Sequence, residues 1–181
     1  IDLGRVNGRA FVNNVAMGVY GAVVQSSAYR EHKVRTVIDM MPELIGPAAE
    51  PFDLRFIGQD GRAHDTAALV LVANNRYLID PRPQHGTRGD LDGAVLGIIA
   101  VTGPPPGGLS EWATPTFRVD SATAVALGID GESVAMEAPL VFESDPRALT
   151  LLVPARRSRR GPAPRPPRPA KRRSAIPGDQ Q

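Results

Sequence analysis

The residues of this chain best equipped for chemistry are acids in two turns, Asp90-Leu91-Asp92-Gly93 and Asp130-Gly131-Glu132. A carboxylate can take a proton from a reacting group or hold a hard cation through its oxygens. Other reactive groups are scarce. There is no cysteine, and the three histidines, His32, His64 and His85, stand at no metal-ligand spacing. That excludes a disulfide framework, a thiolate zinc site and a cysteine nucleophile. The sequence holds no Walker loop and no nucleophile elbow. Asn74-Asn75 closes an apolar run and is a third polar element, although Asn at a strand end is usually a cap or turn former. Taken alone, each Asp-Gly is a turn, because Asp tolerates left-handed geometry and Gly adopts positive φ freely.

Short strands must carry these turns. Ile1 and Leu3 alternate with polar residues, Asn7-Gly8 supplies a turn, and Phe11 and Val15 continue the return strand of a hairpin. Asn-Gly between alternating runs is the strongest short hairpin signal. Residues 18–29 are small and compatible with a helix. Val34, Val37, Ile38, Met41 and Leu44 then form one apolar helical stripe, which Pro42 kinks or ends. Beyond Pro47 the period changes to two. Phe52, Leu54 and Phe56 alternate, the GQDG turn follows, and a strand is expected over His64 to Asn74. Ala67 to Ala73 is apolar on both sides of the alternation, as in a central strand covered on both faces. Further strands are expected at Leu91 to Val101, Thr116 to Asp120, Val125 to Ile129, Leu140 to Glu143 and Leu149 to Val153. Many short strands separated by Gly, Pro and Asp predict a mainly β fold, a sandwich or barrel with a small helical insertion.

Charge divides the chain. Residues 1–154 carry 12 Lys and Arg against 18 Asp and Glu, a net of −6. Residues 155–181 carry 9 against 1, a net of +8, with six prolines. The body, residues 1–154, is long enough to bury about two-thirds of its unfolded surface. The basic Pro/Arg-rich tail, residues 155–181, has almost nothing to bury and is expected to be disordered. No apolar stretch approaches the ~20 residues of a membrane-spanning helix, and no signal segment opens the chain, which predicts a soluble, cytoplasmic protein. Chains begin with Met unless processed, and Ile1 sits inside an alternating pattern, so the sequence reads as a fragment whose upstream part is missing. The cationic tail suits an anionic membrane surface, where each Lys or Arg contributes ~1 kcal/mol. It carries no aromatic residue for base stacking, so nucleic acid is the less favoured, non-specific partner. PAPRPPRP also fits a polyproline ligand, and a solvated end with no fixed partner is the plain alternative.

Five segments, in order, resemble the C-terminal domain of the diacylglycerol kinase and sphingosine kinase family of lipid kinases. IDLGRVNGRAFVNNVAMG is similar to that family's opening hairpin, ALVLVANNRY to its strand ending in Asn, and GTRGDLDGAVLGIIAV to its Asp-Gly strand opening in the actinobacterial form. LGIDGESV carries an Asp-Gly-Glu element, and PLVFESDPRALTLLVP resembles the closing hairpin. The resemblance spans nearly all of residues 1–154. It implies a β-sandwich-like, substrate-side domain of an enzyme that moves the γ-phosphoryl group of ATP to a hydroxyl of diacylglycerol or a related lipid alcohol. ATP and Mg²⁺ are the cofactors so implied, and the inner membrane face is the implied place of work.

By the same resemblance Glu132 is the general base, and Asp130 and Gly131 lie beside the nucleotide. Asp92 helps to hold Mg²⁺, with backbone carbonyls around Gly89 and Ala94 as co-ligands. The family's nucleotide-binding domain, with its Gly-Gly-Asp-Gly-Thr phosphate loop, is not in this sequence. RYLIDPRPQHG also replaces the glycine triplet common after the strand-end Asn. Phosphoryl transfer rests on positioning and charge neutralisation around the phosphates. The resemblance therefore implies that this stretch is inactive without an upstream nucleotide-binding domain. The alternative is a non-catalytic β-rich binding module with a membrane- or nucleic-acid-binding tail.

Overall fold

The computed structural model describes residues 1–19, 51–79, 86–88, 90–103 and 108–152. The described strands are β1 (Leu3–Val6), β2 (Arg9–Phe11), β3 (Asn14–Gly18), β4 (Phe56–Ile57), β5 (Ala63–His64), β6 (Leu69–Asn74) and β7 (Tyr77–Ile79). They continue as β8 (Gly86–Arg88), β9 (Leu96–Val101), β10 (Leu109–Thr114), β11 (Thr116–Val119), β12 (Val125–Ile129), β13 (Glu132–Met136) and β14 (Leu140–Asp145). Among the described residues these strands pair antiparallel: a four-stranded sheet in the order β11-β14-β1-β2, a six-stranded sheet in the order β10-β9-β6-β3-β12-β13, and the hairpins β4-β5 and β7-β8. The fold is mainly β, as the alternation predicts. Among the described residues no helix is long and apolar enough to cross a membrane. Residues 1–151 form one compact unit and residues 152–181 a second, of which only Leu152 is described.

The two larger sheets share one core. Val6, Phe11 and Phe142 from the first sheet pack into the same buried cluster as Met17, Val72 and Leu127 from the second. Burying each such side chain contributes about 1.5–3 kcal/mol. β6 lies between β3 and β9 and is buried along nearly its whole length, the central position that its unbroken apolar run predicts. Phe11 of β2 stands opposite Gly4 of β1, and a Cβ on Gly4 would overlap the Phe11 ring carbons. Gly4→Ala is expected to destabilise the domain by about 1–3 kcal/mol, the usual cost of overpacking, measured from the denaturant midpoint. An unchanged midpoint would mean that the ring moves aside freely.

Several boundaries differ from the sequence expectation, each for a local reason. The opening hairpin forms with Asn7 at φ +46° and Gly8 at φ +81°, both left-handed as a type I′ turn requires. Its return strand stops at Phe11, however, and Val15 belongs to β3 in the other sheet. The expected strand from Leu91 starts only at Leu96, because Ala94 at φ +54° breaks the extended run. His64 to Asn74 divides into β5 and β6. Leu149 to Leu152 is not a strand, although Ile1 and Leu149 exchange backbone hydrogen bonds at 2.7 and 3.1 Å. β7, β8, β10 and β13 are not among the expected strands. The expected helical stripe from Val34 to Leu44 and the tail from Ala155 lie outside the described residues.

Candidate functional site

Strand register brings both acidic turns to one end of the six-stranded sheet. Ile129 of β12 stands opposite Val15 of β3, Val15 opposite Val72 of β6, and Val72 opposite Ile98 of β9. Followed past that row, β12 leads into Asp130 and β6 into Asn74 and Asn75. Traced backwards from the same row, β3 starts at Asn14 and β9 is preceded by the loop that holds Asp92. At ~4.8 Å per strand, β12 and β9 are about 14 Å apart. The hairpin β12-β13 also returns Glu132 to this end, opposite Ile129.

Asp130 and Gly131 form the hairpin turn, at φ +49° and +92°. The Asp130 carboxylate then reaches back across the sheet. It accepts the N–H of Val12 at 2.8 Å on Oδ2, and those of Asn13 at 2.7 Å and Asn14 at 3.0 Å on Oδ1. These bonds fix the step at which the chain leaves β2 in one sheet and enters β3 in the other. Its own N–H donates to the Asn14 carbonyl at 2.9 Å. Gly131 is exposed, and a Cβ there would meet no atom within 4 Å. Glu132 is 77% exposed, and Arg9 Nη2 of β2 lies 3.3 Å from its Oε2. That pair joins the edge strands of the two sheets.

The second turn rests on a buried polar cluster. Asp2 is fully buried, and its Oδ2 accepts the N–H of Ala94 at 2.7 Å while Oδ1 accepts that of Arg147 at 2.8 Å. Asn74, also buried, donates through Nδ2 to the carbonyls of Asp2 at 2.8 Å and Val12 at 3.1 Å. Asn75 Nδ2 donates to Asn74 Oδ1 at 3.3 Å, and Asn75 Oδ1 accepts the N–H of Gly93 at 3.0 Å. Asp92 is exposed above this cluster, and Gly89 lies outside the described residues. Asp2 is the functional-cluster residue that the alternation conceals: a polar residue between Ile1 and Leu3 reads as solvent-facing. Its one signal is its place, as Asp2-Leu3-Gly4, in the opening segment that carries the family resemblance.

Mg²⁺ prefers oxygen ligands in an octahedron, keeps several waters and needs only one or two carboxylates. An exposed Asp92 flanked by backbone carbonyls fits that donor set. Among the described residues no group of three or more His, Cys, Asp or Glu forms a protein cage of the kind a transition metal uses.

Two carboxyls elsewhere in the domain are shifted by their neighbours. The N–H of Ala122, 2.6 Å away, holds Asp53 below the usual carboxylate range, with Arg55 and Ser121 adding to the effect. Hydrogen bonds from Arg118 at 2.9 and 3.0 Å do the same for Asp120 and raise Arg118 in turn. Arg55, Phe56, His64, Phe117, Arg118 and Asp120 line part of a groove of about 340 Å³ that contains none of the predicted site residues. Both of its arginines are already paired with carboxylates.

No family model matches the chain. Among solved structures it is similar to a proposed diacylglycerol kinase from Bacillus anthracis str. Sterne, with a TM-score of 0.56 and 19% identity over 80% of this chain and 53% of that one. A second structure of a proposed diacylglycerol kinase from the same organism gives a TM-score of 0.54 and 16% identity, again over 80% and 53%. The chain spans about half the length of the solved chains that it matches. The domain therefore has the fold found in about half of each of these diacylglycerol kinase-like chains.

Proposed function

We propose that this domain is the substrate-side half of an ATP-dependent lipid kinase, of the type seen in actinobacterial members, acting on diacylglycerol or a related lipid alcohol. The observation that supports this most is the meeting of two acidic turns at one sheet end, on a fold shared with proposed diacylglycerol kinases. In this reading a lipid hydroxyl oxygen attacks the γ-phosphorus of ATP. Its proton passes to a Glu132 carboxylate oxygen as the bond from phosphorus to the ADP oxygen breaks. Glu132 is open enough for a substrate hydroxyl to reach it, and Arg9 restrains its carboxylate. Asp130 secures the turn while Gly131 presents an unobstructed surface beside the nucleotide. Asp92, with carbonyls around Gly89 and Ala94, would hold Mg²⁺, which when bound neutralises phosphate charge.

Transfer by this route requires a phosphate-binding domain upstream of Ile1, and the isolated domain is inactive. The decisive experiment is lipid phosphorylation by the full chain with diacylglycerol, a sphingoid base and a simple alcohol as acceptors. Activity on none of them would leave the non-catalytic binding module as the better reading.

In the same proposal the protein is cytoplasmic and peripheral at the inner membrane face, held there by residues 155–181. Deleting them is expected to weaken binding to vesicles rich in anionic lipid at least about tenfold at low salt, since each cation contributes ~1 kcal/mol. The difference should shrink at physiological salt. Equal binding with and without the tail would remove the membrane role.

A further inference from the structure

The loop before β9 is held at four points, on either side of Asp92, by buried residues. The Leu91 carbonyl accepts the N–H of Asp2 at 2.8 Å, Gly93 donates to Asn75 Oδ1 at 3.0 Å, Ala94 donates to Asp2 Oδ2 at 2.7 Å, and the Val95 carbonyl accepts the N–H of Asn75 at 3.1 Å. Asp2 is fully buried and Asn75 is 2% exposed, whereas residues 91–94 are exposed. Burying a carboxylate is costly unless its hydrogen bonds are made. Here two of them go to the N–H groups of Ala94 and Arg147, at φ +54° and +56°, conformations that residues with a Cβ rarely adopt. Asn75 itself stands at φ +64°. The cluster thus maintains an otherwise unfavourable backbone on both sides of the contact.

That backbone has a chemical consequence. A trans peptide points its N–H and the preceding carbonyl in opposite directions. Anchoring the N–H groups of Gly93 and Ala94 on buried side chains turns the carbonyls of Asp92 and Gly93 toward the exposed side of the loop. We propose that Asp2 and Asn75 are positioning residues, which set this loop as an oxygen-presenting surface for a divalent cation before the cation arrives. The inference rests on the reading of Asp92 as a cation ligand and extends it to two residues that touch no cation. Asp2→Asn leaves a single acceptor oxygen for the N–H groups of Ala94 and Arg147, which now have one each, and Asn75→Ala releases Gly93. Neither alters Asp92.

The test uses the full chain and Mn²⁺ as the probe, with free Mn²⁺ followed by electron paramagnetic resonance in the absence of nucleotide. Circular dichroism and melting confirm that each variant is folded. Asp2→Asn and Asn75→Ala are each expected to weaken Mn²⁺ binding at least about tenfold, the scale seen when residues supporting metal ligands are changed. The Mg²⁺ concentration for half-maximal activity should rise in parallel, with the KM for ATP at saturating Mg²⁺ unchanged. Asp92→Asn separates the two levels of the argument. If it binds Mn²⁺ as the wild type does, the cation reading of the loop fails. If it loses Mn²⁺ while folded Asp2→Asn and Asn75→Ala bind normally, positioning by the buried pair is overturned. Should Asp2→Asn not fold, Asn75→Ala decides, since it removes a single anchor.

Discussion

On the proposed function, replacing Glu132 by Gln is expected to lower lipid phosphorylation by the full chain about 10²–10⁴-fold, the contribution of a positioned general base, and to leave the fold intact. The two halves of that result have separate causes. Gln keeps the shape of the side chain and cannot take the hydroxyl proton, so turnover falls while the KM for ATP changes little. Stability is expected to stay within about 1 kcal/mol, because the group is 77% exposed and makes one ion pair with Arg9 at 3.3 Å. Turnover numbers and melting curves measured on the same preparation check both halves. A variant that retains wild-type turnover would remove Glu132 from the base role. One that loses activity only by unfolding would make the Arg9 pair more important than its geometry indicates.

Asp130→Ala has the opposite signature, a loss of stability first. Three successive N–H groups, from Val12 to Asn14, donate to the one carboxylate, two at an exposed position and one partly buried. Hydrogen bonds to a charged acceptor are each worth about 1.5–3 kcal/mol, and solvent can replace the exposed ones. A total loss of about 2–3 kcal/mol is therefore expected, read from urea denaturation of the domain. Asp130→Asn retains one acceptor oxygen and should lose about half as much. A loss below about 0.5 kcal/mol for Asp130→Ala would show that the crossing from β2 to β3 holds without its anchor. Since the same residue precedes Gly131 and Glu132, activity in the full chain should fall with stability, unlike the Glu132→Gln case.

Local structure was legible where local geometry decides it. Asn7-Gly8 specified a left-handed turn because few other pairs tolerate positive φ at both positions, and the opening hairpin forms there. Val125–Ile129 appears with the expected ends, closed by Asp130-Gly131. The unbroken apolar run Ala67 to Ala73 marked β6 as a strand covered on both faces, and it stands in the middle of the six-stranded sheet. β13 is hard to read because it borders the sheet and only Val134 and Met136 turn toward the core, an alternation two residues long beside the exposed Glu132, Ser133 and Ala135.

The order of residues alone is thus enough for the class of fold, the turns and the types of residue available for chemistry: carboxylates and backbone oxygens in place of thiols or clustered histidines. Which residues meet was decided only by tertiary structure. Period-two alternation says which face of a strand is apolar and says nothing about its neighbour, so the order β9-β6-β3-β12 that joins the two acidic turns could not be read from any one segment. The same limit hid Asp2. A polar residue between two apolar ones signals solvent in a lone strand, yet here it is sealed beneath Asn74 and the loop before β9. Its carboxylate is tolerated there because backbone N–H groups brought from residues 94 and 147 satisfy it. Such long-range partners exist only once the sheets have formed.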